Sequence, residues 1–320
     1  MRPGMQRRLK KVSKHLRKEV KSNHVAYHPS HFSWTAGLEK VVDELDSNIC
    51  MDLWDFEGIH YFDGGPLTVQ YLFVLDALNF CFWPDADLHY DHLAAGLKSA
   101  LMEDSTIFDA DRLEKFTGMD LRKLLNWPRE LPLQEERARL LREVGIELNR
   151  SFSGKAANLV AAANGSALTL VNLIASHFPG FRDHSVYKGH QVFIYKRAQI
   201  FVADLWGAFK GKSFGAFKDI QGLTMFADYI VPAILRHLGI ISYSPSLARK
   251  VDSFNELPPG TEEEVEIRAC TIVAVEKLGE LLSAKIGRQV LTVQLDWWLW
   301  STGISLQSKL SCHRTHTIYY

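Results

Sequence analysis

The sequence predicts a mainly α-helical protein built as one multi-helical domain with at most a few short strands. Three observations carry that expectation. Apolar residues recur at helical spacing, as in Leu38, Val41, Val42 and Leu45 at i, i+3, i+4 and i+7. Helix starts and stops are written out, as in Thr261-Glu262-Glu263-Glu264 with Gly287 beyond. No parallel-sheet pattern and no internal repeat accompanies them.

The first 21 residues carry Arg2, Arg7, Arg8, Lys10, Lys11, Lys14, Arg17, Lys18 and Lys21 against Glu19 alone. Targeting peptides are Arg- and Ser-rich, and this stretch is Lys-heavy with little Ser. We expect a basic tail over 1–21, a cytoplasmic protein, and organelle targeting only as the lesser reading. A helix is expected around Leu38–Leu45. An aromatic and acidic stretch, Trp54 to Gly65, ends in the turn Asp63-Gly64-Gly65-Pro66. Leu67 to Trp83 is almost wholly apolar, with Asp76 and Asn79 inside it, which suits a buried helix. A short helix is expected within Asp104–Gly118. Another runs from Leu121 to Trp127, stopped by Pro128.

Leu133–Leu148 reads as a helix with Glu135 and Arg139 paired at i, i+4. Ala156–Phe178 reads as one Ala/Leu/Val-rich helix, weakened at Gly165 and ended by Pro179-Gly180. Gln191–Tyr195 is a short strand or the lead-in to a helix, and Ala198–Phe209 is helical. Asp228 can cap a helix that has Pro232 in its first turn and Gly239 beyond its end. Thr261 and Glu264 read as a capping box for a helix to about Lys285. Leu291–Trp300 is apolar and aromatic around Asp296.

Composition bounds the function. At 320 residues with 47% hydrophobic and 23% charged residues, the chain has material for a full core. A formal net charge of zero argues against a protein that wraps nucleic acid electrostatically. No stretch approaches the ~20 apolar residues of a membrane span, and no signal-peptide core is found. Cys50, Cys81, Cys270 and Cys312 are scattered, without CxxC spacing, and read as reduced thiols.

Several motifs dissolve on inspection. Only three residues separate Gly207 from Gly211 where a phosphate loop needs four between its glycines, so Trp206–Ser213 reads as a helix stop. His313 and His316 lack the carboxylates that a metal site would need. The Asn164-Gly165-Ser166 sequon falls in an expected helix and reads as silent. Three places keep two readings each. Asp228, among bulky apolar neighbours, is a helix cap or a group that stabilises positive charge. Asp296, amid Trp297, Trp298 and Trp300, is a structural ion-pair member or a receiver of N–H donors from a stacked base. Lys196 and Arg197 hold a phosphate or face solvent.

Longer stretches resemble one family. Tyr195-Lys196-Arg197-Ala198-Gln199-Ile200, Phe217-Lys218-Asp219-Ile220, Thr224-Met225-Phe226-Ala227-Asp228-Tyr229, Glu264-Val265-Glu266-Ile267-Arg268 and Ile318-Tyr319-Tyr320 look like the queuosine salvage proteins. Ala77-Leu78-Asn79-Phe80-Cys81-Phe82-Trp83 resembles their Leu-Asn-Phe-x-Phe-Trp box. The resemblance runs from about Ser22 to the end, so 22–320 is expected to be a single domain. It implies an all-helical fold related to DNA glycosylases, and hydrolysis of queuosine 5′-monophosphate to queuine and ribose 5-phosphate. By the same resemblance Asp228 is the catalytic acid, while His60, Phe226, Asp296 and Trp297 meet the base. Lys196 and Arg197 are assigned to the 5′-phosphate. Ser301 stands where the family commonly has an acid, a shorter polar group that implies looser recognition of the cyclopentenediol arm. Trp297 stands where the family often has Tyr, a change that keeps stacking but loses a hydroxyl donor. No cofactor, metal, membrane or obligatory nucleic-acid partner is expected, and the protein is expected to be monomeric. The alternatives are a nucleic-acid glycosylase or a non-catalytic tRNA-modification partner on the same scaffold.

Overall fold

The computed structural model describes residues 32–34, 54 and 58–320. The expected helix at Leu38–Leu45, the basic tail and Cys50 lie outside the described residues. The described residues are mainly helical and form two compact units.

The first unit, Trp54–Asp183 with Tyr195–Ile220 and Thr317–Tyr320, is helical throughout apart from its loops. Its helices are α1 (Pro66–Leu78), α2 (Tyr90–Glu103), α3 (Ala110–Leu113), α4 (Gly118–Leu124), α5 (Gln134–Phe152), α6 (Ala156–Ala162), α7 (Ala167–His177) and α8 (Lys196–Ala208). α1 is the centre: every residue from Thr68 to Leu78 is buried, and α2, α5, α6 and α8 pack around it. A helix apolar all round can exist only where it is covered all round. Its last carbonyls need donors, because no helical N–H follows them. Two buried arginines supply them. Arg137 of α5 donates to the carbonyls of Leu78, Phe80 and Cys81 at 2.7, 2.6 and 2.8 Å. Arg197 of α8 donates to Ala77 O at 2.7 Å. The final residue closes the same end, Tyr320 O accepting from Cys81 N at 2.9 Å.

Three expectations need correction here. Ala156–Phe178 is two helices, because Asn164 and Gly165 take left-handed φ of 51° and 70°. Asp219 then caps the second, accepting from Ser166 Oγ at 2.8 Å and Ala167 N at 2.6 Å. The sequon therefore lies in that turn, with Asn164 exposed. Arg139 pairs with Glu136 and Glu143, at 2.8 and 3.4 Å, and not with Glu135. Trp206–Ser213 is the helix stop expected, with Lys210 and Gly211 both at positive φ.

The second unit comprises, among described residues, Phe32–Trp34, His184–Ile194 and Gln221–His316. It holds β1 (Phe32–Trp34), β2 (His184–Tyr187), β3 (His190–Phe193), α9 (Ile230–His237), β4 (Ile241–Tyr243), α10 (Pro245–Asp252), α11 (Glu262–Ile286) and α12 (Thr292–Ser305). β1 pairs antiparallel with β4, Trp34 opposite Ile241. β2 and β3 form a hairpin whose two loop residues, Lys188 and Gly189, both have positive φ, as the tightest hairpin loop requires. The core lies between α9, α11 and α12, where Val231, Ile234, Ile267, Val275, Leu278, Leu295 and Leu299 are buried. α9 and α12 approach closely at Gly303, where a Cβ would stand 2.5 Å from Ile230 Cγ2.

The capping box at Thr261 does not form. Glu264 is buried, and its Oε2 takes the Gly260 N–H at 3.0 Å while Thr261 Oγ1 donates to Pro258 O. The acids still sit at the positive end of α11, where the dipole favours them. No helix among the described residues is long and apolar enough to cross a membrane.

Candidate active site

In the second unit the chain runs non-helically through Leu223–Asp228 into α9, and Met225, Phe226, Ala227 and Asp228 are all buried. Asp228 Oδ1 accepts from Ile230 N at 3.0 Å and Val231 N at 2.9 Å. The cap reading is thus realised with a single oxygen, which places a carboxylate at the positive end of α9. Capping does not exclude chemistry: it fixes the carboxylate group and leaves one oxygen that the cap does not use.

Two helices hold this segment. From α12, Asp296 Oδ1 accepts from Phe226 N at 2.9 Å, and Thr292 Oγ1 donates to Leu223 O at 3.0 Å. From α11, Arg268 Nε donates to Ala227 O at 3.0 Å. Asp296 and Trp297 are buried, and Ser301, half-buried, lies one turn beyond Trp297 on the same face of α12. Phe226, Asp228, Asp296, Trp297 and Ser301 therefore share one unit. Cys312 stands close enough to Asp228 to feel its charge. Burial first, and then that charge, push its thiol up to about 12, so it is a neutral neighbour. Burial and the Arg268 charge pull His313 down to about 3, so its ring is neutral too.

His60, Lys196 and Arg197 belong to the first unit. His60 sits in an aromatic cage. Trp54 stacks on it at 4.7 Å, and Tyr71 and Tyr90 present their edges at 6.3 and 5.9 Å. Tyr71 Oη lies 3.5 Å from His60 Nδ1 and donates to Ala94 O at 3.0 Å. Burial, then the Lys98 charge, pulls the imidazole down to about 4. A neutral ring offers one donor and one acceptor.

Lys196 and Arg197 are both buried, whereas the sequence left open that they face solvent. Lys196 Nζ donates to Asn79 O at 3.1 Å. Arg197 spends its guanidinium on carbonyls of α1 and on Gly180 O, stacked over Phe181 at 4.6 Å. Burial lowers its pKa to about 10.

Sequence reasoning passed over a buried acidic pair in the same unit. Asp76 of α1 and Asp204 of α8 interact, with Lys196 and Tyr90 beside them. Burial pushes Asp204 up to about 7, and burial and the Asp204 charge push Asp76 well above the carboxylate range. Asp76 was visible as an acid inside an apolar run, but its pairing with a residue 128 positions later was not.

A model of the family described as queuosine salvage protein matches residues 59–320. The chain is 43% identical over 314 residues to the queuosine 5′-phosphate N-glycosylase/hydrolase of Dictyostelium discoideum, covering 90% of this chain and 97% of that one. It is 45% identical over 278 residues to the protein of the same name from Sphaerobacter thermophilus, covering 83% and 85%. With that of Bos taurus it shares 35% over 278 residues, covering 79% and 82%.

Proposed function

The chain belongs to the queuosine salvage protein family, and from that premise we propose that it hydrolyses the N-glycosidic bond of queuosine 5′-monophosphate, releasing queuine and ribose 5-phosphate. The observation that carries the reading is Asp228: a buried carboxylate held by two N–H groups at a helix start, on a segment gripped by the neighbouring helices.

The bond chemistry asks for such a group. As the C1′–N bond lengthens, positive charge builds on the ribose ring. A fixed carboxylate stabilises that state more than the ground state. The helix dipole and the two N–H bonds favour the carboxylate form. Asp228 acts as electrostatic stabiliser, as the group that orients water, or as nucleophile at C1′; all three require the same carboxylate.

The leaving deazapurine lacks the N7 acceptor whose protonation helps ordinary purines depart. Hydrogen bonds elsewhere on the base must stabilise the developing negative charge. We assign a donated N–H to His60, whose neutral ring is suited to it. Asp296 receives N–H donors of the base, Phe226 and Trp297 stack on it, and Ser301 faces its side arm. Lys196, with a compact ammonium that already donates to Asn79 O, is assigned to the 5′-phosphate, and Arg197 supports it from the adjoining position. We read 22–320 as one functional domain with 1–21 as a basic tail, acting as a cytoplasmic monomer on free nucleotide. The zero net charge supports a nucleotide over a nucleic acid.

The test is queuine release from queuosine 5′-monophosphate, followed by chromatography with mass detection, for wild type and Asp228→Asn. Release by wild type that collapses in the variant while substrate still binds is the expected result. No release, together with salt-dependent tRNA binding, would overturn the reading in favour of a tRNA-modification partner.

A further inference from the structure

We infer that Arg268 is a positioning residue for Asp228: by holding the Ala227 carbonyl, it sets the peptide plane from which the catalytic carboxylate springs. This rests on the proposed reaction and names a residue beyond its substrate contacts.

The Ala227 carbonyl belongs to the peptide joined to the Asp228 nitrogen. Rotating that plane rotates the Asp228 backbone and swings its side chain. Arg268 Nε fixes the carbonyl at 3.0 Å. Arg268 is itself anchored, being buried on α11 one turn after Glu264, with Nη1 3.6 Å from Glu264 Oε1. The other oxygen of Glu264 takes the Gly260 N–H at 3.0 Å, which ties the pair to the loop before α11. The guanidinium therefore has a fixed place from which to hold the loop. On the far side, Asp296 fixes the Phe226 N–H at 2.9 Å. The two grips hold the peptides on either side of Phe226-Ala227, immediately before the carboxylate.

Stability alone does not ask for an arginine here. A buried carbonyl needs one donor, and a hydroxyl or amide would satisfy it without desolvating an ion pair. A planar guanidinium braced by a carboxylate gives instead a donor of fixed direction. Fixed direction matters where a small displacement of a reacting group lowers the rate steeply.

The test is a double-mutant cycle of Arg268→Met and Asp228→Asn, with kcat and KM for queuosine 5′-monophosphate and long incubations to capture residual turnover. Arg268→Met is expected to lower kcat about a hundredfold with KM nearly unchanged. In the Asp228→Asn background it is expected to cost almost nothing further, because the group it positions has already been silenced. Equal losses in the two backgrounds, or a wild-type kcat in Arg268→Met, would overturn the inference. Should Arg268→Met fail to fold, Arg268→Lys keeps the buried charge but moves the donor. It carries the same cycle, with about a tenfold loss expected in the Asp228 background alone. An inactive wild type would remove the reaction reading, and this inference with it.

Discussion

Asp228 does two jobs that substitution can separate. Its Oδ1 caps α9 through Ile230 N and Val231 N, and its charge is assigned to the chemistry. Asn retains an acceptor oxygen of the same reach, so Asp228→Asn keeps the cap and loses only the charge–dipole part, about 0.3–1 kcal/mol. Ala removes the acceptor, a loss of roughly 0.5–2 kcal/mol for an N-cap. The loss should sit at the upper end, about 2 kcal/mol, because Ile230 and Val231 are buried and their N–H groups have no water to turn to. At roughly 2 °C per kcal/mol for a chain of this size, Asp228→Ala melts about 4 °C below wild type and Asp228→Asn within about 2 °C of it. Turnover falls alike in both, by about a hundredfold or more, the scale of losing one charge-stabilising contact in a transition state. Differential scanning calorimetry beside the queuine-release assay reads both axes. Equal melting temperatures for the two variants would refute the cap argument, and a turnover difference tracking the melting difference would refute the separation.

Three further outcomes are expected. Between the unfolded carboxylate value of about 3.9 and about 7, folded Asp204 keeps a proton that the unfolded chain has released. Its contribution is present at low pH and lost as pH rises through 7, so the melting temperature of Asp204→Asn relative to wild type should climb from pH 5 to pH 8; a flat difference would count against the buried pair. His60 is shifted the other way, to about 4, so it stays neutral across pH 5–8 and contributes no break near pH 6.5 to kcat/KM. A limb at that pH that vanishes in His60→Gln would contradict this. Gly303→Ala drives a Cβ to 2.5 Å from Ile230 Cγ2, costing about 1–3 kcal/mol, and should lower kcat as well as thermal stability because Ile230 N is a partner of Asp228. Unchanged melting would mean that α9 and α12 can part without cost.

Much of the helical architecture is local information. The stop at Lys210-Gly211, the cap at Asp228 and the glycine stop at 287 each depend on a few neighbouring residues, and each appears where the chain predicted it. The buried helix expected over Leu67–Trp83 instead ends at Leu78, because Asn79 and Cys81 leave the helical conformation. The acid of Met225-Phe226-Ala227-Asp228 and the acid among the tryptophans of α12 were legible for a related reason: a charge set in an apolar surround must be explained. The local reading failed where two local solutions compete. Glu264 could serve Thr261 or Arg268, and burial with Arg268 decided it. Arg139 had acids within reach at positions 135, 136 and 143, and took the last two.

What only the tertiary structure decided is the set of partners far apart in the chain: Asp76 with Asp204, Arg197 under α1, Asp296 on Phe226 N, and Arg268 on Ala227 O. The physical reason is the same in each case. A side chain announces its own charge and size, but the partner it meets when water is excluded is chosen by how helices pack, and that choice is not contained in any window of neighbouring residues.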